Sequence, residues 1–229
     1  MKKILFLHGA LSSKHQFDPI LPQFSDEFEV DAISFSGHGG MMFPVAGYSF
    51  EVFANDILNY LNEKKIEKIN LFGFSMGGYA ALFFTHLHPE RVEKIFTLNV
   101  KFKWELPDAQ KEVALLNAEN ILLKVPSFAN NLMMIHGLEM WKNVLKSTED
   151  MMMNLTKGIM LHDEDLKKMS FPVLLAVGDK DLTSGLDQTV DVYKKIPRAQ
   201  LCVLPDTSHP FETADPAILI PVIKRFFKS

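Results

Sequence analysis

Short apolar runs alternate with amphipathic segments along most of the chain, and this alternation predicts the secondary structure. Short β-branched and apolar runs favour strands buried in a parallel sheet. We predict strands over residues 3–7, 28–35, 66–72, 92–100, 171–177 and 199–204. Helical spacing of apolar residues predicts helices over residues 50–61, 77–86, 187–196 and 216–227. Strands alternating with helices imply an α/β fold, in which a mainly parallel six-stranded sheet has helices on both faces.

Residues 101–168 depart from this alternation, because they contain no convincing strand. We expect them to form an inserted helical cap on a core domain made of residues 1–100 and 169–229. The segment contains Trp104 and Trp141 and is rich in methionine. Its methionines include Met133, Met134, Met140, Met151, Met152, Met153 and Met160.

Methionines at helical spacing usually fill gaps in a core, but their flexible thioethers can also line an adaptable apolar pocket. A helical cap over a site supplies such a pocket. We therefore assign Met133, Met134 and Trp141 to the substrate pocket as a hypothesis.

Length, composition and charge narrow the function classes. The chain has 229 residues, 47% of them apolar and 23% charged, as in an ordinary single globular domain. A formal charge of -4 and the lack of basic clusters interleaved with aromatics argue against nucleic-acid binding. The single cysteine, Cys202, excludes an intrachain disulfide and a thiol-ligated metal cluster. No run approaches the ~20 apolar residues that span a bilayer, so we expect a soluble cytoplasmic protein.

The segment Gly73-Phe-Ser-Met-Gly77 has the pattern of a nucleophile elbow. A serine on a sharp strand-to-helix turn needs neighbours without side chains two positions away on either side. Gly-x-Ser-x-Gly is short and occurs by chance, but here a predicted strand precedes it and a predicted helix follows it. We therefore predict Ser75 as an exposed nucleophile.

A serine hydroxyl needs a base, and the base needs an acid that orients it. Two later strands each end in a loop that offers one of these groups. Asp179 and Asp181 follow the fifth predicted strand, and His209 follows the sixth. The order Ser, Asp, His results. We favour Asp181 as the acid, with Asp179 as the alternative, and expect Asp206 to shape its own turn.

An oxyanion intermediate requires preorganised donors, which backbone amides supply. The first predicted strand ends in Leu7-His-Gly-Ala10, where glycine permits close approach. We predict that the Ala10 and Met76 amides form the oxyanion hole, and that His8 is structural.

Taken together, these motifs resemble the α/β-hydrolase fold nearly end to end. The matching segments are His8-Gly9, Ser36-Gly-His-Gly39, Gly73-Phe-Ser-Met-Gly77, Gly178-Asp-Lys-Asp181 and Ser208-His-Pro210. The resemblance implies that the second segment is a structural turn, so His38 is not assigned to catalysis. It also implies no metal and no organic cofactor.

The chain departs from the family pattern at two points. It begins at what would be the family's third strand, so it resembles compact, truncated members with six strands and an inserted cap. Ser208 stands where the family often has glycine.

Proteins with this fold catalyse many different reactions, so the resemblance predicts the catalytic residues better than it predicts the substrate. Our first hypothesis is a serine hydrolase acting on a small carboxylic ester or related acyl substrate. The serine argues against a dehalogenase, and the elbow also resembles that of the perhydrolase branch.

Two alternatives remain open, as does the oligomeric state. One is a carbon–carbon bond hydrolase or a lyase resembling the menaquinone-pathway synthase, in which the triad transfers protons. An arginine in the pocket, which would hold a substrate carboxylate, would favour it. The three arginines, Arg91, Arg198 and Arg225, are not obviously at the entrance of the pocket. Lys101 and Lys103, however, follow the strand that faces the cap. The other is a ligand-binding receptor without turnover.

Overall fold

The computed structural model describes residues 1–158 and 161–229. A six-stranded sheet of order β2-β1-β3-β4-β5-β6 forms its centre, and all paired strands are parallel. The strands are β1 (Lys2–Leu7), β2 (Phe28–Ile33), β3 (Ile69–Phe74), β4 (Val92–Leu98), β5 (Val173–Gly178) and β6 (Ala199–Leu204). The predicted α/β fold with a parallel six-stranded sheet is confirmed.

Side chains alternate along the strands and supply two apolar cores, one on each face of the sheet. Leu5, Leu71 and Leu175 lie on the face covered by α1 (Phe50–Glu63), α2 (Met76–Leu87) and α8 (Leu186–Tyr193). Phe6, Phe72 and Leu174 lie on the opposite face, against α9 (Pro216–Lys228) and three short 3-10 turns. The helices therefore cover both faces, as predicted.

The predicted third strand begins three residues too early. Lys65, which follows the C-cap residue of α1, has a positive φ of 53°, and the Ile66 N–H donates back to the Leu61 carbonyl at 2.8 Å. Ile66 is therefore part of the helix terminus, where its apolar side chain is buried. A buried apolar residue in a turn looks like strand in sequence, which explains the difference.

Between β4 and β5, the described residues form five helices and no strand. These are α3 (Leu106–Ala114), α4 (Ala118–Lys124), α5 (Pro126–His136), α6 (Trp141–Leu155) and α7 (Asp163–Lys167). They have an apolar cluster of their own, which contains Leu132, Trp141 and Leu145. Met160 lies outside the described residues. The division into core and cap domains remains a prediction.

Strand register brings the candidate residues to one edge of the sheet. Leu7 pairs with Gly73, Phe74 with Leu98, and Gly178 with Leu204. The carboxyl ends of β1, β3, β4, β5 and β6 therefore lie in a row along one edge of the sheet, and the loops that leave them converge. In the part of the chain that the structure describes, no helix is long and apolar enough to cross a membrane.

Candidate active site

Ser75 occupies a strained turn between β3 and α2. Its backbone has φ 50° and ψ −116°, a conformation that costs a non-glycine residue on the order of 1–3 kcal/mol. Hydrogen bonds hold the turn: the Ser75 N–H donates to the Leu98 carbonyl at 2.8 Å, and the Ser75 carbonyl accepts from the Gly78 and Tyr79 amides at 3.0 and 3.1 Å. The side chain is consequently lifted off the sheet at the N-terminus of a helix.

Three glycines make this turn possible because backbone passes close to each of them. A Cβ on Gly73 would lie 2.5 Å from the Gly77 carbonyl oxygen, and one on Gly77 would lie 2.2 Å from the Leu7 carbonyl oxygen. A Cβ on Gly78 would meet Val100 at 2.4 Å. The motif is therefore required by packing as well as by backbone conformation.

The structure brings Ser75, His209 and Asp181 together. The Ser75 Oγ lies 3.1 Å from His209 Nε2, and His209 Nδ1 lies 2.9 Å from Asp181 Oδ2. Since an ionised carboxylate only accepts, Nδ1 carries the proton and Nε2 is left as an acceptor for the serine hydroxyl. This is the arrangement that activates a serine nucleophile.

Asp181 is held in place by its own turn. Its Oδ1 accepts the Thr183 and Ser184 amides, both at 2.9 Å, and its side chain is fully buried. Burial alone would raise the pKa of Asp181, but hydrogen bonds from His209 and Ser184, together with the charge of His209, lower it below its ordinary value. The carboxylate therefore stays ionised at neutral pH.

Asp179 and Asp206 contact other groups. Asp179 is exposed, and its Oδ1 accepts the Thr207 amide at 3.1 Å. Asp206 is exposed, has a positive φ of 52°, and pairs with Lys180. Both shape the turns that precede His209, and the structure places Asp181, not Asp179, against the imidazole.

Ser184 is a neighbour of the imidazole that sequence reasoning did not find. Its Oγ lies 3.2 Å from His209 Nδ1, and the residue is completely buried. Ser75 instead faces Nε2 and lines the cavity, so the two serines occupy opposite ends of the ring. Ser184 therefore contacts the Asp181 side of the imidazole, whereas Ser75 contacts the side that faces the cavity.

Asn99 was also missed, and it ties two of the site's loops together. Its amide nitrogen donates to the Ser208 and His209 carbonyls at 2.9 and 3.1 Å, and its Oδ1 accepts the Gly178 amide at 2.9 Å. The residue is fully buried and has a φ of 54°. Its position after β4, next to the strand pair β5 and β6, was the available signal.

The proposed oxyanion loop follows β1. The Gly9 N–H donates to Gln16 Oε1 at 3.0 Å, which fixes the loop, and Ala10 and Met76 both line the cavity beside Ser75. The Met76 amide also stands at the positive end of the α2 dipole. His8 is fully buried; its Nδ1 lies 2.7 Å from the Gly9 carbonyl, and its Nε2 accepts the Phe35 amide at 3.1 Å, so its contacts are structural.

A cavity of about 390 Å³ opens beside Ser75 and His209. Its walls come from α1, from α2, from the loops after β1 and β6 and from the segment between β4 and β5, and they are mainly apolar. They include Phe50, Tyr79, Trp104, Leu116, Phe128, Met151, Met152 and Leu155. A second cavity of about 490 Å³ shares Ser12, Gln16, Asn131, Ile135, Phe211 and Glu212 with it, so the two adjoin.

The three residues assigned to the pocket from sequence do not line this cavity. Met134 is 78% exposed, and Trp141 is buried in the apolar cluster of the helical segment, against which Met133 packs. Met151 and Met152 lie in the wall instead. Helical periodicity shows that a residue faces apolar neighbours, but it does not show which of two apolar surfaces those neighbours form.

Known proteins share both the sequence pattern and the fold. A sequence model of the family described as alpha/beta hydrolase fold matches residues 2–133. An uncharacterized protein of Mycobacterium tuberculosis is 24% identical over 258 aligned residues, which include 97% of this chain and 74% of that protein.

Two solved structures illustrate the shared fold. The 2-hydroxy-6-oxo-6-phenylhexa-2,4-dienoate hydrolase of a Rhodococcus strain has a TM-score of 0.84 at 20% identity, covering 100% of this chain and 91% of that one. A thermophilic esterase of Thermogutta terrifontis has a TM-score of 0.80 at 20% identity, covering 100% and 90%. Because the family match spans more than half of the sequence, this chain belongs to the alpha/beta hydrolase fold family.

Proposed function

We propose that the protein is a serine hydrolase that cleaves a small carboxylic ester or related acyl substrate through an acyl-enzyme. The observation that supports this most strongly is the continuous hydrogen-bonded arrangement of Ser75, His209 and Asp181, with Ser75 open to an apolar cavity. The similarity to an esterase of the same fold agrees with it.

Acylation begins when the Ser75 Oγ attacks the ester carbonyl carbon and its proton moves to His209 Nε2. The carbonyl oxygen becomes an oxyanion, which accepts hydrogen bonds from the Ala10 and Met76 amides. Asp181 stabilises the imidazolium and keeps its ring oriented. As the intermediate collapses, Nε2 returns the proton to the leaving alcohol, and the acyl group remains on Ser75.

Deacylation repeats these steps with water. Nε2 takes a proton from the water as its oxygen attacks the acyl carbonyl, the same two amides hold the oxyanion, and the carboxylic acid leaves as Ser75 regains its proton. The apolar wall of the cavity suits the hydrocarbon part of an acyl or alkyl group.

The test is labelling with a fluorophosphonate, followed by intact-mass measurement and peptide mapping. We expect one adduct, on Ser75, that disappears in Ser75→Ala and in His209→Ala. Ser12→Ala is a matched control, because Ser12 also lines the cavity but has no imidazole contact in the described structure, and it should label like the wild type. A folded wild type that forms no adduct would contradict the proposal.

A second candidate function is proton transfer at a carbon–carbon bond, as in a carbon–carbon bond hydrolase or lyase. The observation that favours it is the Lys101 ammonium in the cavity wall, which would attract a substrate carboxylate, although Glu112 beside it would repel one. The three arginines do not line the cavity in the described residues. Retained cleavage of a dienoate substrate after Ser75 has been fully labelled would exclude a role of Ser75 in that reaction.

A further inference from the structure

An ion pair is built into the mainly apolar wall of the cavity beside Ser75. Lys101 lies just beyond β4 and Glu112 lies on α3, and the Lys101 Nζ donates to Glu112 Oε1 at 3.2 Å. Their side chains are 9% and 24% exposed. The ammonium also lies 4.6 Å from the centre of the Trp104 ring, another wall residue. Charges removed from water in this way need additional hydrogen bonds to be well satisfied.

The pair has unused hydrogen-bonding capacity. An ammonium has three donors, and a carboxylate has about four acceptor sites. Among residues 1–158 and 161–229, the Lys101 ammonium and the Glu112 carboxylate have only each other as hydrogen-bond partners. Donors and acceptors therefore lie next to one another at the cavity surface. A hydrocarbon chain covering them would displace water without replacing its hydrogen bonds, which is unfavourable.

The chemistry of the pair selects the kind of group that fits. A substrate carboxylate would be attracted to Lys101 but repelled by Glu112, and a substrate cation would meet the reverse. A hydroxyl or carboxamide both donates and accepts, so it can bond to both partners without adding a charge. We propose that Lys101 and Glu112 together recognise an uncharged hydroxyl or carboxamide group on the substrate, a specificity that rests on the ester hydrolysis proposed above.

Two series of esters test this. The first series varies the acyl chain: it compares p-nitrophenyl hexanoate with p-nitrophenyl ω-hydroxyhexanoate and with the p-nitrophenyl monoester of adipic acid. The second varies the alcohol: it compares hexyl acetate with ω-hydroxyhexyl acetate. Neighbouring chain lengths are included so that the hydroxyl can reach the pair. In at least one series we expect the hydroxylated ester to have the higher kcat/KM by about tenfold or more, since a site built to bind a hydroxyl rejects its alkyl analogue. The kcat/KM for the adipate monoester should be lower than that for the hydroxylated ester.

Variants show whether the preference comes from this pair. Lys101→Met/Glu112→Met removes both charges and leaves neither unpaired, so it is expected to fold, and the preference should vanish. Lys3→Met/Glu29→Met is the matched control: that pair is 2.8 Å apart at the amino ends of β1 and β2, far from the loops of the site, and its loss should leave the preference unchanged. If the double variant at the cavity does not fold, Glu112→Gln replaces it. Because this variant removes the repulsion, the kcat/KM for the adipate monoester should rise about tenfold relative to that for the hydroxylated ester.

The outcomes separate this proposal from the proposed function. Equal turnover of plain and hydroxylated esters in both series, or a preference for the adipate monoester in the wild type, overturns the recognition role while ester hydrolysis stands. If no ester is turned over, ester hydrolysis fails. Calorimetric binding of the same esters to Ser75→Ala then decides the recognition role: tighter binding of the hydroxylated ester, by about tenfold or more, supports it, and equal binding overturns it.

Discussion

At the scale of single residues, the two aspartates after β5 provide a sharp test of the candidate triad. We expect Asp181→Asn to lower kcat by about 10³–10⁴, because an amide in place of the carboxylate favours the wrong imidazole tautomer. Asp179→Asn is the control, two positions away and on the same turn, and it keeps an oxygen that can accept the Thr207 amide. It should stay within a few-fold of the wild type.

Steady-state kinetics with the best ester, alongside thermal unfolding, make this comparison. Both variants should unfold near the wild-type temperature, because each replaces an oxygen with an isosteric NH₂. An Asp179→Asn variant as impaired as Asp181→Asn would contradict the assignment of the acid.

The proximity of the candidate site residues could be predicted from sequence where a motif fixes a residue and its neighbours along the chain; their catalytic roles remain predictions. Ser75, Asp181 and His209 follow three different strands, and the parallel register brings them to one edge. Ser184 and Asn99 belong to no motif, and their roles arise from contacts between loops far apart in sequence. Such contacts depend on side-chain directions that local pattern does not specify.

At the scale of elements, the junction of β3 and α2 is held by packing against β1. We expect Gly77→Ala to destabilise the fold by more than about 3 kcal/mol, because its Cβ would overlap the Leu7 carbonyl and force two central strands or the helix to shift. Urea unfolding measures this, and the same shift should move Ser75 and reduce fluorophosphonate labelling.

Gly137→Ala is the control for this substitution. Gly137 ends α5 with a φ of 90°, and a Cβ there would meet nothing within 4 Å. Only backbone strain remains, which costs about 1–3 kcal/mol. Gly137 is not one of the residues that line the cavity beside Ser75 in the described structure. Labelling should be unaffected. A Gly77→Ala variant as stable as the wild type would show that the junction can relax.

The helices and strands could be predicted because their apolar residues repeat with a clear period. The residues at which they begin and end were harder to predict. The strand and helix pattern of the sheet region reproduces the observed order, whereas Ile66 was misplaced because a helix terminus buried it. In the segment between β4 and β5, Trp141 was assigned to the substrate pocket, but it packs in the apolar cluster of its own helical segment. The spacing of apolar residues identifies the apolar face of a helix, but tertiary packing determines which part of the protein covers that face.

At the scale of the whole molecule, three buried histidines join the loop after β1, the loop after β2 and helix α5. The His8 and His38 rings are 5.1 Å apart, and those of His38 and His136 are 5.9 Å apart. His136 Nδ1 accepts the Gly39 amide at 3.1 Å, and Nε2 lies 3.1 Å from the Leu11 carbonyl, so it links α5 to both loops. Burial lowers the pKa of all three, and neighbouring imidazoles lower those of His8 and His38 further.

These buried histidines predict how stability depends on pH. Burial lowers the pKa of His8 to about 4, against about 6.5 in an unfolded chain. Below pH 6.5 the unfolded chain therefore binds a proton that the folded protein does not bind until about pH 4, and unfolding becomes more favourable as pH falls through this window. For His8 alone, the free energy of unfolding should drop by about 2 kcal/mol between pH 7.5 and pH 5. The other two histidines act with the same sign.

Urea unfolding of wild type and His8→Gln at the two pH values isolates the contribution of His8. The variant has a lower free energy of unfolding at pH 7.5, because the glutamine replaces a packed ring. Between pH 7.5 and pH 5, however, its free energy of unfolding should fall by about 2 kcal/mol less than that of the wild type. His15→Gln serves as the control for the substitution itself, since that histidine is exposed. Equal pH dependence in wild type and His8→Gln would contradict this prediction, because it would mean that His8 titrates alike in the folded and unfolded states.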